Sequence, residues 1–215
     1  DYTDVMGYCN TQWISDYTYR AMFEFLSAQS SEVASIANVE QPSLLIWGRI
    51  ENGQPVLEPA FEIHSRPSTP TPGPHSISAL SADGTELFRV SFSSARIADL
   101  PIDMETFAFT VPLSALRGRS VASLRLTTRG RTVSSVASSD VAADPSATMT
   151  RVGTNAIRVR WDASRFPVMM VRDPMRGHIL SFARGGDVTV ATQRTELDLN
   201  FSNRVRSSRR LTQLR

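Results

Sequence analysis

The chain contains no lysine: all 23 of its basic residues are arginine. We read this as the codon bias of a GC-rich genome. Against 21 acidic residues the formal net charge is only +2. The arginines are scattered along the chain rather than gathered on one face, which argues against a nucleic-acid partner. One modest run, Arg204, Arg206, Arg209, Arg210 and Arg215, reads as a solvated or frayed tail. No stretch approaches the run of about 18 apolar residues that a membrane-spanning helix needs. No positively charged leader precedes an apolar core at the N-terminus, but the sequence begins mid-pattern, so that says nothing about export.

Catalytic signatures are scarce too. There is no His-Glu-x-x-His, whose spacing would set two imidazoles on one helix face around a zinc ion. The three histidines, His64, His75 and His178, stand apart from one another and read as exposed or internally satisfied imidazoles. Arg184-Gly185-Gly186 lacks the Lys and Ser/Thr of a phosphate loop, and no Gly-x-Ser-x-Gly elbow occurs. Asp162, Asp173 and Asp187 are candidate oxygen ligands for calcium, though their spacing matches no EF-hand. Trp47 and Trp161 are candidates for a sugar-binding platform, but each lies in an alternating apolar run that suits a core position better. The single cysteine, Cys9, is either a small buried thiol or bonded to a partner outside the sequence.

What is present is a change of period. Ser15 or Asp16 can cap a helix on which Tyr19, Met22, Phe23 and Leu26 recur as one stripe, and a Ser/Ala/Gln-rich stretch follows it. The chain then alternates. Leu44–Ile50 and Val56–Ile63 flank Asn52-Gly53, and Ser76–Leu80 and Glu86–Phe92 flank Asp83-Gly84, each pair reading as a hairpin. Further strands are expected at Phe107–Leu113, Val121–Leu126 and Thr132–Val133, with the proline-rich stretch Pro67–Pro74 confined to a loop. After a second Ser/Ala/Asp-rich stretch come Ile157–Trp161, Val168–Arg172, Ile179–Phe182, Val188–Val190 and Leu197–Phe201. The reading is therefore mainly β. An antiparallel β-sandwich of immunoglobulin or fibronectin type is expected at 43–140, and a small β-rich C-terminal domain at 147–215. Ahead of them stand one N-terminal α-helix within 1–30 and a linker at 31–42. The sequence does not fix the strand order.

The first residues carry the one family signal. Asp4-Val5-Met6-Gly7-Tyr8-Cys9, followed by Trp13-Ile14-Ser15-Asp16-Tyr17, resembles the methionine turn and following segment of secreted bacterial zinc metalloproteases related to the metzincins. The match covers under a tenth of the chain. The resemblance implies that 1–30 is the tail of a catalytic domain, with Met6 forming the floor beneath a zinc site without ligating it. It also implies that Cys9 pairs with a cysteine in a segment this sequence lacks. The expectation is a non-catalytic C-terminal part of an exported zinc metalloendopeptidase, inactive alone, monomeric, with zinc held by the parent protein and none here. Its β-domains would support the protease or direct it to a protein or glycoprotein substrate. The alternative is an extracellular β-sandwich module for adhesion or carbohydrate binding.

Overall fold

A computed structural model describes residues 3–4, 12–13, 39–98, 102–138 and 145–214. The chain divides into two compact units, Asp1–Val39 and Glu40–Arg215. In the first, β1 (Thr3–Asp4) and β2 (Gln12–Trp13) pair in parallel, Thr3 opposite Gln12 and Asp4 opposite Trp13. Met6, Cys9 and the helix expected from Ser15 lie outside the described residues.

The second unit is built entirely on alternation. Strand β3 (Gln41–Glu51) buries Leu44, Ile46 and Ile50 on one face and turns Leu45, Trp47 and Arg49 to the other. It starts inside the segment read as linker. Asn52 and Gly53 both take positive φ, 49° and 73°, the requirement of the two-residue turn whose twist matches a hairpin. The return strand, expected as one piece, is split into β4 (Gln54–Leu57) and β5 (Phe61–Ser65), paired with the two halves of β3. The break has a cause in bonding. Pro59 has no N–H to offer a ladder, and the Ala60 N–H is diverted to the Arg204 carbonyl at 2.8 Å.

The chain continues through β6 (His75–Leu80), β7 (Glu86–Phe92), β8 (Ala95–Arg96) and β9 (Met104–Pro112). After a single 3-10 turn at Leu113–Leu116 come β10 (Ser123–Thr128) and β11 (Arg131–Val136). Two antiparallel sheets result. One runs β4-β3-β9-β8 with β5 also on β3, and the other runs β11-β10-β6-β7. They face each other across a core of Leu44, Ile46, Ile77, Phe92, Phe107, Phe109, Leu124 and Leu126. This is the expected sandwich. Phe92 stacks with Phe107 at 4.6 Å and with Phe109 at 5.2 Å between ring centroids. Gly48 allows this packing, because a Cβ there would lie 2.3 Å from the Val56 carbonyl oxygen and 2.7 Å from the Phe107 ring.

A second pair of sheets follows: β12 (Ala147–Val152), β13 (Ala156–Trp161), β14 (Val168–Arg172), β15 (Ile179–Arg184), β16 (Asp187–Ala191), β17 (Glu196–Ser202) and β18 (Ser207–Gln213). The orders are β12-β13-β16 and β15-β14-β17-β18. Ile157, Val159, Trp161, Met169, Val171, Leu197, Leu199 and Phe201 fill the space between them. Two strands here were not expected. Part of the arginine run read as a solvated or frayed tail, Arg209 and Arg210, instead lies in β18, an edge strand in register with β17 from Ser202 opposite Ser207 to Glu196 opposite Gln213. Three arginines of the run are engaged as well. Arg206 Nε bonds Glu62 at 2.7 Å, Arg209 Nε bonds Asp198 at 2.8 Å, and Arg210 bonds the Pro145 carbonyl at 2.5 Å.

The two sandwiches meet through the β3–β5 sheet of the first and the β14–β17 sheet of the second. Phe61, Val168 and Met170 form a third buried cluster, flanked by Leu45 and Ile63. Phe182 on β15 packs against Trp47 at 5.3 Å and Phe61 at 5.7 Å. Beside this apolar patch, Ser202 Oγ donates to the Ala60 carbonyl at 2.7 Å and Asn200 Nδ2 to the Glu62 carbonyl at 2.9 Å. No helix among the described residues is long and apolar enough to cross a membrane.

Candidate functional site

The described residues among those singled out from the sequence do not converge. Met6 and Cys9 fall outside the described residues. His64 and His178 are exposed and far apart in sequence, on β5 and ahead of β15. The three aspartates each have separate partners. Asp162 accepts from the Ser164 amide and hydroxyl, and Asp173 from the amides of Met175 and Arg176 and from Arg194 Nε. Asp187 accepts from Arg158 and Arg160, and the Arg158 guanidinium is the main reason its carboxyl falls to about 2. Among the described residues no three His, Cys, Asp or Glu side chains gather to hold a metal ion. Trp47 and Trp161 are not an exposed platform either. Trp47 Nε1 donates to the Pro59 carbonyl at 2.9 Å inside the joint, and Trp161 Nε1 donates to Phe166 at 2.8 Å in the second core.

The fold instead assembles two polar clusters that no motif announces. The first surrounds His75, whose side chain is 1% exposed at the start of β6. Its Nδ1 lies 2.6 Å from Thr128 Oγ1 at the end of β10, and its Nε2 lies 3.0 Å from Ser94 Oγ and 3.6 Å from Glu105 Oε2. Ser94 Oγ in turn donates to Glu105, which also accepts from Arg129 Nη2 at 2.7 Å. Ser94 has one proton, and it goes to the carboxylate, so His75 must donate from Nε2 and accept at Nδ1 from Thr128. Every position in the chain Thr128, His75, Ser94, Glu105, Arg129 is then filled. A serine-histidine-acid triad places the acid on Nδ1 and the serine on Nε2. Here both sit at Nε2, and the arrangement is a clasp tying one end of both facing sheets together. Burial holds the His75 pKa below its ordinary 6.5 against the raising attraction of Glu105, and the Ser94 hydroxyl holds the Glu105 carboxyl below its usual range.

The second cluster lies where the sandwiches join. Glu58, at the break between β4 and β5, is 8% exposed. It is held between Arg49 Nη1 of β3 at 2.6 Å and Arg184 Nη2 of β15. A cleft of about 570 Å³ opens beside it, lined by Arg49, Arg184, Arg204, Val133, Ser134 and Ser135 among others. Sequence spacing could not announce this group, since Glu58 and Arg184 are 126 positions apart. The only local signal was Glu58-Pro59 interrupting an otherwise alternating strand.

Comparison with protein-family profiles, with curated proteins and with solved structures gave no match to this chain.

Proposed function

We propose that the β-rich unit Glu40–Arg215 is the non-catalytic accessory module of an exported zinc metalloendopeptidase, and that the residues ahead of it close the catalytic domain. The observation that carries the reading is the run Asp4-Val5-Met6-Gly7-Tyr8-Cys9 with Trp13-Ile14-Ser15-Asp16-Tyr17, joined in one chain to a doubly sandwiched scaffold. In this reading Met6 lies beneath the metal, Cys9 is bridged to a segment not present here, and zinc with its activated water is held by residues of the parent protein. The two sandwiches, locked by a mixed apolar and hydrogen-bonded joint, would hold a substrate-directing surface at a fixed setting relative to each other. A fixed setting limits the entropy lost when a substrate docks.

The test is to express the chain together with whatever coding sequence precedes Asp1, and to measure zinc content and chelator-sensitive proteolysis on the same preparation. One zinc per chain and cleavage abolished by chelation are expected. A preceding sequence without His-Glu-x-x-His, or a product that binds no zinc, would sink the reading.

A further inference from the structure

We propose that the cleft at the joint binds an extended, acidic peptide segment, which adds to the edge of β11 that no described strand pairs with and places its carboxylates on Arg204 and Arg184. Three features of the cleft support this. The first is charge. Arg49, Arg184 and Arg204 line a space of about 570 Å³ in which Glu58 is the one lining carboxylate, and Glu51 pairs Arg49 as well, so one positive charge stays unmatched. Glu58 engages one nitrogen of Arg49 and one of Arg184, and the Arg184 side chain remains 59% exposed. Guanidinium groups carry five N–H donors each, so donors remain for an incoming carboxylate.

The second feature is Arg204 itself. Its φ is +88°, beyond the left-handed well near +50 to +70° that Arg117, at 51°, and Arg129, at 44°, approach more closely. The backbone is held there by its neighbours. Asn203 Oδ1 accepts the Val205 and Arg206 amides, Val205 is fully buried in the first core, and the Arg204 carbonyl accepts Ala60 N–H. A glycine would meet these constraints without strain. The chain instead presents a long cation, exposed and lining the cleft, that makes no hydrogen bond or ion pair among the described residues. Strained positions of this kind persist where the surroundings over-determine them, often at binding sites.

The third feature is the wall opposite. Val133, Ser134 and Ser135 belong to β11, the edge of its sheet, so alternate backbone N–H and C=O groups point away from β10. An edge of this kind recruits an extended chain by main-chain bonding, with side chains supplying selectivity. Among the described residues no aromatic ring lines this cleft, which disfavours a sugar stacked on its walls.

The inference rests on the accessory-module reading only for its biological setting; its test is binding, so it can fail while zinc and proteolysis succeed, and the reverse. The probe is a fluorescent hexapeptide alternating Glu and Val, titrated by anisotropy against the full chain, with its Gln-for-Glu and N-methylated versions as comparisons. Arg204→Gly is set against Arg117→Gly. Both remove one positive charge from a left-handed position that glycine favours, but Arg117 does not line the cleft, and thermal melts confirm that both fold. Arg204→Gly is expected to weaken the acidic peptide about tenfold or more, as loss of a charged hydrogen bond does, and Arg117→Gly less than twofold. The Gln and N-methylated peptides are expected to bind at least as weakly as the acidic peptide binds Arg204→Gly. Equal losses in the two variants, equal binding of the Gln peptide, or no binding at all would overturn the proposal. So would a heparin-derived hexasaccharide binding more tightly through Arg204 than the peptide does.

Discussion

Strands β14 and β17 lie side by side in one sheet and both are buried on both faces, yet they are written oppositely. On the face that meets the first sandwich, Val168 stands opposite Ser202, Met170 opposite Asn200 and Arg172 opposite Asp198. One half of the joint is apolar, with Val168 and Met170 against Phe61. The other is a row of short polar side chains bonded to the first sandwich or to arginines of their own sheet. The apolar half is non-directional and supplies most of the attraction, since burying one large side chain is worth about 1.5 to 3 kcal/mol. The polar half contributes little net energy but fixes which backbone carbonyls lie opposite which side chains. A slip at the joint would leave the Ala60 and Glu62 carbonyls buried and unbonded.

The largest test of this division is Phe61→Ala. Phe61 is fully buried and touches both the apolar cluster and Phe182. Its truncation is expected to cost about 3 to 5 kcal/mol in chemical denaturation. It should also split a single unfolding transition into two, because the second sandwich keeps its own core. A single transition with a small shift would show that the apolar half does not couple the sandwiches.

Next in size is Ser202→Ala. It removes the donor to Ala60 at 2.7 Å and the acceptor for the Arg204 amide at 3.1 Å, so a loss of about 1 to 2 kcal/mol is expected. Asn200→Ala should cost somewhat less, since Asn200 Oδ1 is already buried without a partner and only Nδ2 is used. If the polar half sets register, both variants should melt earlier with one transition, in contrast to Phe61→Ala. Arg204→Gly should act with the opposite sign. Relief at φ +88°, reduced by the greater freedom of glycine in the unfolded chain, predicts a gain of about 0.5 kcal/mol, read as a small rise in melting temperature.

The same contrast explains what could be read from the sequence. Strands β3, β6, β7, β9, β13 and β14 carry an apolar face or run, and Asn52-Gly53 and Asp83-Gly84 mark their turns, so hydrophobic period alone locates them. Strand β18 has one large apolar residue, Leu211, which is 55% exposed. It is held by its ladder to β17, and a backbone ladder leaves no trace in side-chain pattern. Strand β12 is the same case, an edge alternating half-buried and exposed residues with little hydrophobic contrast. β17 was legible as a strand from Leu197, Leu199 and Phe201. Its polar face carries no such signal, because only the arrival of the first sandwich makes Asn200 and Ser202 interior. Both polar clusters escaped for a related reason. His75, Ser94, Glu105 and Thr128 come from four places in the chain, brought together by sheet packing rather than by spacing.

The smallest perturbation is pH, and it separates the two kinds of buried polar group. Ser202 and Asn200 do not titrate, so the bonds they make across the joint should hold through mild acid. The His75 clasp does titrate. Thr128, Ser94, Glu105 and Arg129 face the ring, and burial lowers the His75 pKa below 6.5 despite Glu105. The unfolded chain therefore takes up a proton first as pH falls, and the stability supplied by neutral His75, fully present above about 6.5, is lost below it. Glu105 adds a second loss lower down. Its carboxyl is held below its ordinary 4.5, so its contribution is present above that value and falls as pH drops through the folded pKa. Denaturation at pH 7.5 and 5.5 should show the first loss in the parent chain and in Ser202→Ala alike. His75→Gln should be less stable at pH 7.5, yet lose less between the two pH values. An unchanged pH slope in His75→Gln would mean that titration of His75 is not the source of the loss between the two pH values.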